Sequence, residues 1–278
     1  MTEQNTTLEA LGSPVFVSRS SELYAWNEDT LLKLFREGID PELIQNEEIN
    51  TKETYEKGIS QVACYGHVQV GGRTGILIRK IAGKTLISRA GGHPLSVFGV
   101  PKLMAQLQIK MHDTHTSKIC CYKELVKKAL ETPALGFLTE AEQKLILKKI
   151  AALPDGDSIL HLDYHPDNIM SDGYTTSIID WMTAARGAPA ADVAATLYLL
   201  NEGEMIPGLS KNVATVLEKI RKSICSHYLA IYEKETGMTE DEIQPWRLPF
   251  LIVRLGIWHI ESEVPVLQQK IREELNNG

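Results

Sequence analysis

Five residues within one short stretch, His161, Asp163, His165, Asp167 and Asn168, concentrate side chains that take up protons or hold cations, and Asp180 follows shortly after. Two apolar runs, SIL before the cluster and TSIID after it, predict strands on either side, so the cluster sits on a loop. Reactive groups are commonly carried on such loops by a rigid scaffold. A carboxylate, an amide five residues on and a second carboxylate ending the next strand are the parts that phosphoryl transfer from a nucleotide requires. In that chemistry Asp163 accepts the proton of an attacking hydroxyl. The amide oxygen of Asn168 and the carboxylate of Asp180 would hold Mg²⁺ against the phosphates, because Mg²⁺ is a hard ion that prefers oxygen ligands.

The histidines admit a rival chemistry. His161, Asp163 and His165 alternate along the chain and could ligate zinc or a dinuclear centre in a metallohydrolase. Such a centre needs further ligands. The other close pair, His112 and His115, falls on a predicted helix, where a histidine is more often a packing residue than a ligand.

The elements that must position these groups change texture near residue 82. Before it the segments are β-like: VFVS at 15–18, TLLKLF at 30–35, VACYGHVQV at 62–70 and TGILIRKI at 74–81, the last two flanking a hairpin turn at Gly71 and Gly72. Asp40, Pro41 and Glu42 predict a helix start as N-cap, first position and first-turn acid, with the stop near Gly58. After Gly83 the pattern is helical, beginning with LSVFGVPKLMAQLQIKMHDTH and continuing through a capping box from Thr139 to Glu142. Val213, Val216, Leu217, Ile220, Ile224 and Tyr228 share one face of a long helix that Gly237 should end. Asp192, in APAADVAAT, fits the first turn of another helix.

At the reactive loop the chain resembles a known family. His161, Asp163 and Asn168 keep the H-x-D-x-x-x-x-N spacing of the protein-kinase catalytic loop, and HLDYHPDNIM resembles the HGDxHxxN loop of the aminoglycoside phosphotransferase and choline kinase-like family. IIDWMTAARGAPAADVA resembles that family's metal-binding acid and the helix after it. The resemblance implies an α+β, two-lobed protein-kinase-like fold. Residues 1–81 would form a nucleotide-binding lobe with a small antiparallel sheet and one helix, and residues 82–278 a larger, mainly helical catalytic and acceptor-binding lobe. It implies ATP and Mg²⁺ as cofactors, with Lys33 on the nucleotide phosphates and held by a glutamate of the next helix. Glu48 is the expected partner and its neighbour Glu47 the alternative. Adenine would lie against the backbone of Arg79, Lys80 and Ile81. His161 would brace the catalytic loop, His165 would shape the turn towards Asn168, and Asp192 would tie its helix to the loop. Trp181, directly after the metal acid, could line the cleft.

Two departures mark this chain. Leu162 occupies the position of the family's glycine, and SRSSELYAW replaces a glycine-rich phosphate loop, leaving Ser20 and Ser21 as the phosphate donors. These departures are what a non-catalytic, nucleotide-binding pseudokinase would show. Retention of Lys33, Asp163, Asn168 and Asp180 together argues for catalysis.

Composition narrows the partners. Acidic residues exceed basic ones, 36 against 29, for a net charge of -7, and no basic run interleaves with aromatics, so nucleic acid is not an expected partner. The amino terminus carries no signal-peptide pattern, and LPFLIVRLGIWHI is too short to cross a bilayer, so a cytoplasmic protein without a membrane partner is expected. The four cysteines are scattered and read as reduced thiols. The acceptor should be a small hydroxylated molecule, aminoglycoside-, choline- or homoserine-like. No segment after Asp180 resembles the activation loop of an enzyme that acts on proteins. Glu202, Glu204, Glu261 and Glu263 could give the acceptor pocket an acidic wall that favours a cation, with Glu261 and Glu263 the named candidates.

Overall fold

The computed structural model describes residues 7–92, 94–203, 211–258 and 260–276. In chain order its elements begin with β1 (Phe16–Val17), β2 (Ser21–Ala25), β3 (Thr30–Phe35), α1 (Pro41–Glu56), β4 (Cys64–Val70), β5 (Arg73–Arg79), β6 (Lys84–Thr85) and α2 (Leu86–Gly92). There follow α3 (Val100–His112), α4 (Tyr122–Leu130), α5 (Glu140–Ala152), β7 (Ser158–Leu160), β8 (Ile169–Ser171), β9 (Thr176–Ile178) and β10 (Ala185–Gly187). The remainder is helical: α6 (Pro189–Glu202), α7 (Lys211–Thr236), α8 (Glu240–Ile243), α9 (Arg247–Val253) and α10 (Val264–Asn276), with a π-turn at Arg254–Trp258. The chain forms two units. One comprises the residues up to Gly92 together with Asp167–Ala184, and the other the segments ending at Pro166 and starting at Ala185.

The first unit is built on a five-stranded antiparallel sheet of order β1-β2-β3-β5-β4. β-Branched and leucine-rich runs make the strands, and the β4–β5 hairpin closes on Gly71 and Gly72 at φ 57° and 81°, a backbone that only glycine adopts without cost. Leu32 and Leu34 pack with Tyr24 and Val70 on one face. Lys33 faces the other way and is buried all the same. Helix α1 begins as expected, with the Asp40 carboxylate accepting from the Glu42 N–H at 2.9 Å. Its buried face is polar, made of Glu47, Asn50, Thr51, Glu53 and Thr54. A second sheet, β6-β8-β9, completes the unit. Gly83 lets its strands close, since a Cβ there would lie 2.2 Å from the Ser171 carbonyl oxygen.

The second unit is mainly helical. Helix α3 packs on α7, and α9 packs on both α4 and α6, while the short β7–β10 ladder pairs Leu160 with Ala185. The Thr139–Glu142 capping box opens α5, and Gly237 at φ 75° follows α7. Tyr122, Tyr164, Tyr228, Tyr232, Trp246 and Phe250 are among its fully buried side chains.

Two expectations need correction. The helix expected from Leu95 starts only at Val100, because Pro101 fits the first turn of a helix and not its interior, and 94–99 form a 3₁₀ turn. On α7, Ile224 and Tyr228 are buried, but Val216 is 56 % and Ile220 37 % exposed, and the Val213 side chain lies outside the described residues. The reason is length: α7 has 26 residues and its partner α3 only 13, about 39 Å against about 20 Å, so α3 covers part of the face. Among the described residues no helix is long and apolar enough to cross a membrane, and none of the four cysteines is in a disulfide.

Candidate active site

In the first unit the buried Lys33 ammonium donates to Glu47 Oε1 and, at 2.9 Å, to Asp180 Oδ1. Burial works against the lysine charge, but Asp180 and Glu47 outweigh it and raise the pKa. The Glu47 carboxyl is itself pushed up to about 7 by burial, despite the pull of Lys33, and its Oε2 has no partner among the described residues. Glu48, the expected partner, does not reach the lysine. It lies about 100° further round α1 and pairs instead with Lys52 at 2.5 Å and His67 at 3.5 Å.

Asn168 and Asp180 stand at the same end of the β8–β9 hairpin. Ile169 pairs with Ile178, and beyond that pair the Ile179 N–H donates to the Asn168 carbonyl at 3.0 Å. Asp180 follows with a left-handed φ of 64°, and its side chain is 45 % exposed. The turn is clamped from α1: buried Asn50 donates its amide to the carbonyls of Trp181 at 2.9 Å and Ala184 at 3.1 Å. Ser60 holds the Ile178 carbonyl at 2.8 Å. Sequence reasoning misses Asn50 and Ser60, although the polar inner face of α1 is a readable signal, since buried polar groups require polar partners. Trp181 lines no cleft; it is 1 % exposed and forms part of the core. The amide of Asn168 and the carboxylate of Asp180 are oxygen donors, the set that suits a hard divalent cation.

At the end of β5 the N–H groups of Arg79 and Lys80 are already spent, on Ala63 O at 2.8 Å and Asp29 O at 2.9 Å. The Ile81 N–H has no partner among the described residues, so of the three it is the donor available to a ligand. The β1–β2 turn is closed on itself. Ser21 is 2 % exposed and gives its N–H to Ser18 Oγ at 3.1 Å, with the two hydroxyls also 3.1 Å apart. Ser21 therefore does not present the donors expected of it. Ser20 keeps its hydroxyl and N–H without a partner among the described residues, while its carbonyl is braced by the Arg36 N–H at 2.9 Å.

The second unit carries the start of the reactive loop. His161 is fully buried, with Nδ1 3.3 Å from the Asp163 N–H, and Tyr164 anchors the loop by donating to the Met104 carbonyl at 2.9 Å. Burial would raise the Asp163 carboxyl, but His165, His161 and Arg254 hold it well below the usual carboxylate range, so it is ionised. His165 Nε2 lies 3.7 Å from its Oδ2. Leu162 has φ 64° and gives its N–H to Asp192 Oδ1 at 2.5 Å. Asp192 is fully buried, and its Oδ2 receives Gln108 at 2.7 Å and faces His112 Nε2 at 3.0 Å. Burial would raise its pKa, but these bonds lower it. His112 Nδ1 continues to the Tyr232 hydroxyl at 2.6 Å, and Gln108 accepts from Tyr228.

Two acids of the expected wall are neutralised. Glu263 is buried against Arg254, and Glu202 is taken by Arg247 and by Lys270 at 2.6 Å. An expectation built on the acids alone leaves out these arginine and lysine partners, which come from other helices. Glu261 is exposed without a described partner, and Glu204 lies outside the described residues. Among the described residues no group of three or more His, Cys, Asp or Glu side chains is arranged to hold a metal ion, so the zinc-ligand grouping of His161, Asp163 and His165 is not formed.

Comparison with known proteins gives a consistent picture. The phosphotransferase enzyme family model matches residues 18–210. Among solved structures, aminoglycoside phosphotransferase APH(4)-Ia in ternary complex with AMP-PNP and hygromycin B superposes with a TM-score of 0.64 at 11 % identity, over 95 % of this chain and 93 % of that one. Choline kinase LicA from Streptococcus pneumoniae gives 0.60 at 17 % identity, over 95 % and 92 %. Amicoumacin kinase hAmiN, in complex with AMP-PNP, Ca²⁺ and Ami, gives 0.58 at 12 % identity, over 94 % and 87 %. No curated protein matches the sequence. At these identities the structural likeness establishes the fold, a two-lobed, α+β protein-kinase-like fold.

Proposed function

Because the chain belongs to the phosphotransferase enzyme family, we propose that it transfers the γ-phosphoryl group of ATP to a hydroxyl of a small molecule. The observation that carries this reading is the placement of Lys33, Glu47, Asp180 and Asn168 in one unit. A buried cation is held there beside two oxygen donors at the end of a single hairpin. Lys33 binds the nucleotide phosphates, Glu47 holds Lys33, and the Ile81 N–H and Ser20 are the remaining nucleotide donors. Residues 1–81 serve as the nucleotide-binding lobe and 82–278 as the catalytic and acceptor lobe. Asn168 and Asp180 hold Mg²⁺, which when bound neutralises phosphate charge.

Asp163 orients the acceptor hydroxyl and takes its proton as the oxygen bonds to the γ-phosphorus and the bond to ADP breaks. His161 braces this loop. AMP-PNP in two structural relatives, with hygromycin B in one, supports a nucleotide and a small hydroxylated acceptor. Leu162 prompts a pseudokinase reading, yet it holds the left-handed backbone that a glycine would supply, which favours catalysis.

Asp163→Asn tests the reading. With Mg·ATP and a panel of hydroxylated antibiotics and metabolites, turnover measured as ADP release should fall about 10² to 10⁴-fold, with ATP binding retained. Near-normal turnover would overturn the role of Asp163, and absence of Mg·ATP binding by the native protein would overturn the function.

A further inference from the structure

Three cations of the second unit gather on the Tyr198 ring, with Arg247 at 5.7 Å, Arg254 at 5.6 Å and Lys270 at 4.7 Å from its centroid. In Arg247 every nitrogen bonds a carboxylate, and Lys270 bonds one. Arg247 commits Nε to Glu274 at 2.8 Å and both terminal nitrogens to Glu202, and Lys270 bonds Glu202 at 2.6 Å.

Arg254 differs. It grips Glu263 side-on, through Nε at 2.5 Å and Nη2 at 2.7 Å. A guanidinium has five N–H donors in one plane, so this grip leaves Nη1 and the outer hydrogen of Nη2 as an unspent end-on fork among the described residues. The Tyr198 and Trp258 rings lie close to the group, with centroids 5.6 Å and 5.5 Å from its central carbon. Arg254 is 6 % exposed, and none of its nitrogens is sealed from solvent without a partner, in contrast to Arg186 Nε.

The surroundings hold the fork still. Arg254 opens the π-turn, and such turns are frequent at functional sites. Gly256 within it lies against α4, where a Cβ would stand 2.7 Å from the Ala129 carbonyl oxygen. Arg254 is also one of the groups that hold the Asp163 carboxyl below the usual carboxylate range.

We propose that the end-on fork of Arg254 binds an oxyanion of the acceptor, a carboxylate or a phosphate monoester, and so selects hydroxyl compounds that carry one. The inference rests on the proposed phosphotransferase reading and names its acceptor class. A planar fork matches either oxyanion by two parallel N–H···O bonds, a recognition that a point-charge lysine cannot reproduce. It also reverses the expectation of a cationic acceptor, since two of the acids behind it, Glu202 and Glu263, are already neutralised.

The test uses the full chain with Mg·ATP and two scaffold series, each varying only the charged group. They are glycerol, glycerate, glycerol 3-phosphate and 3-amino-1,2-propanediol, and glucose, glucuronate, glucose 6-phosphate and glucosamine. In at least one series kcat/KM should favour an anionic member over its neutral parent by about tenfold or more, equivalent to about 1.4 kcal/mol. Which anion is favoured separates carboxylate from phosphate.

Arg254→Met paired with Glu263→Met removes both charges without stranding one in the interior. It should bring the anionic-to-neutral ratio close to one and leave the KM for ATP unchanged. Arg254→Lys, which keeps the pair with Glu263, should lower the ratio while retaining part of it. Turnover confined to neutral or ammonium members, turnover on none of the eight, or an anionic preference that survives both variants would overturn the inference. If Mg·ATP binds normally in those cases, the phosphotransferase reading stands apart from that failure.

Discussion

The backbone N–H of Leu162 is held by Oδ1 of Asp192, 2.5 Å away and 30 residues later in the chain. The bond fixes a fully buried leucine at φ 64° at the start of the reactive loop. Two effects oppose each other at this position. A non-glycine residue in the left-handed region costs roughly 1–2 kcal/mol, whereas truncating a buried leucine costs roughly 2–5 kcal/mol.

The loss of packing should therefore outweigh the relief of strain. Leu162→Gly is expected to lower stability by about 1–3 kcal/mol in urea unfolding, even though it restores the residue type of the family loop. A more stable variant would show that backbone strain dominates and that the leucine side chain contributes little to packing.

Neighbouring glutamates on α1 should behave differently. Glu47→Gln removes a charge bonded to buried Lys33 and should lower kcat/KM for ATP by about tenfold or more. Glu48→Gln disrupts only pairs with Lys52 and His67 and should stay within about twofold of the native value. Equal losses in the two variants would remove Glu47 from the nucleotide site.

His165 should set the acid limb of the pH–rate profile. It stands 3.7 Å from Asp163 and helps hold that carboxyl below its ordinary range. Removing a positive neighbour raises a carboxylate pKa, so in His165→Asn protonation of Asp163 begins at higher pH and the acid limb of kcat/KM should move upward. An unmoved or downward-shifted limb would show that Asp163 is held low by other groups.

Glu202 predicts a pH dependence of stability. Burial would raise its pKa, but Arg247 and Lys270 hold it down at about 2, against an ordinary value of 4.5. A depressed carboxylate contributes stability above its unfolded pKa and loses it as pH falls towards the folded value. Native protein should therefore lose stability between about pH 4.5 and 2 through this group. In Glu202→Gln the slope of the urea midpoint over that range should be shallower, and an unchanged slope would refute the assignment.

The sequence by itself determined the local structure. Asp40 and Pro41 start α1, Gly71 and Gly72 turn the hairpin, and Thr139 with Glu142 caps α5, because each depends on contacts only a few residues apart. The spacing of Asp163, Asn168 and Asp180 was equally legible, since the segment that carries them is short.

Tertiary structure decided which neighbour faces which. One helical position separates Glu47 from Glu48, and only the packing of α1 against β4 and β5 selects the residue that meets Lys33. Asn50 reaches Trp181 across 131 residues, and Asp192 reaches back to Leu162. Pairings of this kind leave no periodic trace, because buried polar atoms are matched by geometry in space and not by interval along the chain. The acids of the carboxy-terminal helices show the same limit. Their charge was plain in the sequence, but the neutralisation of Glu202 and Glu263 by Arg247, Arg254 and Lys270 depends on how α6, α9 and α10 pack, and that packing leaves Arg254 with donors to spare.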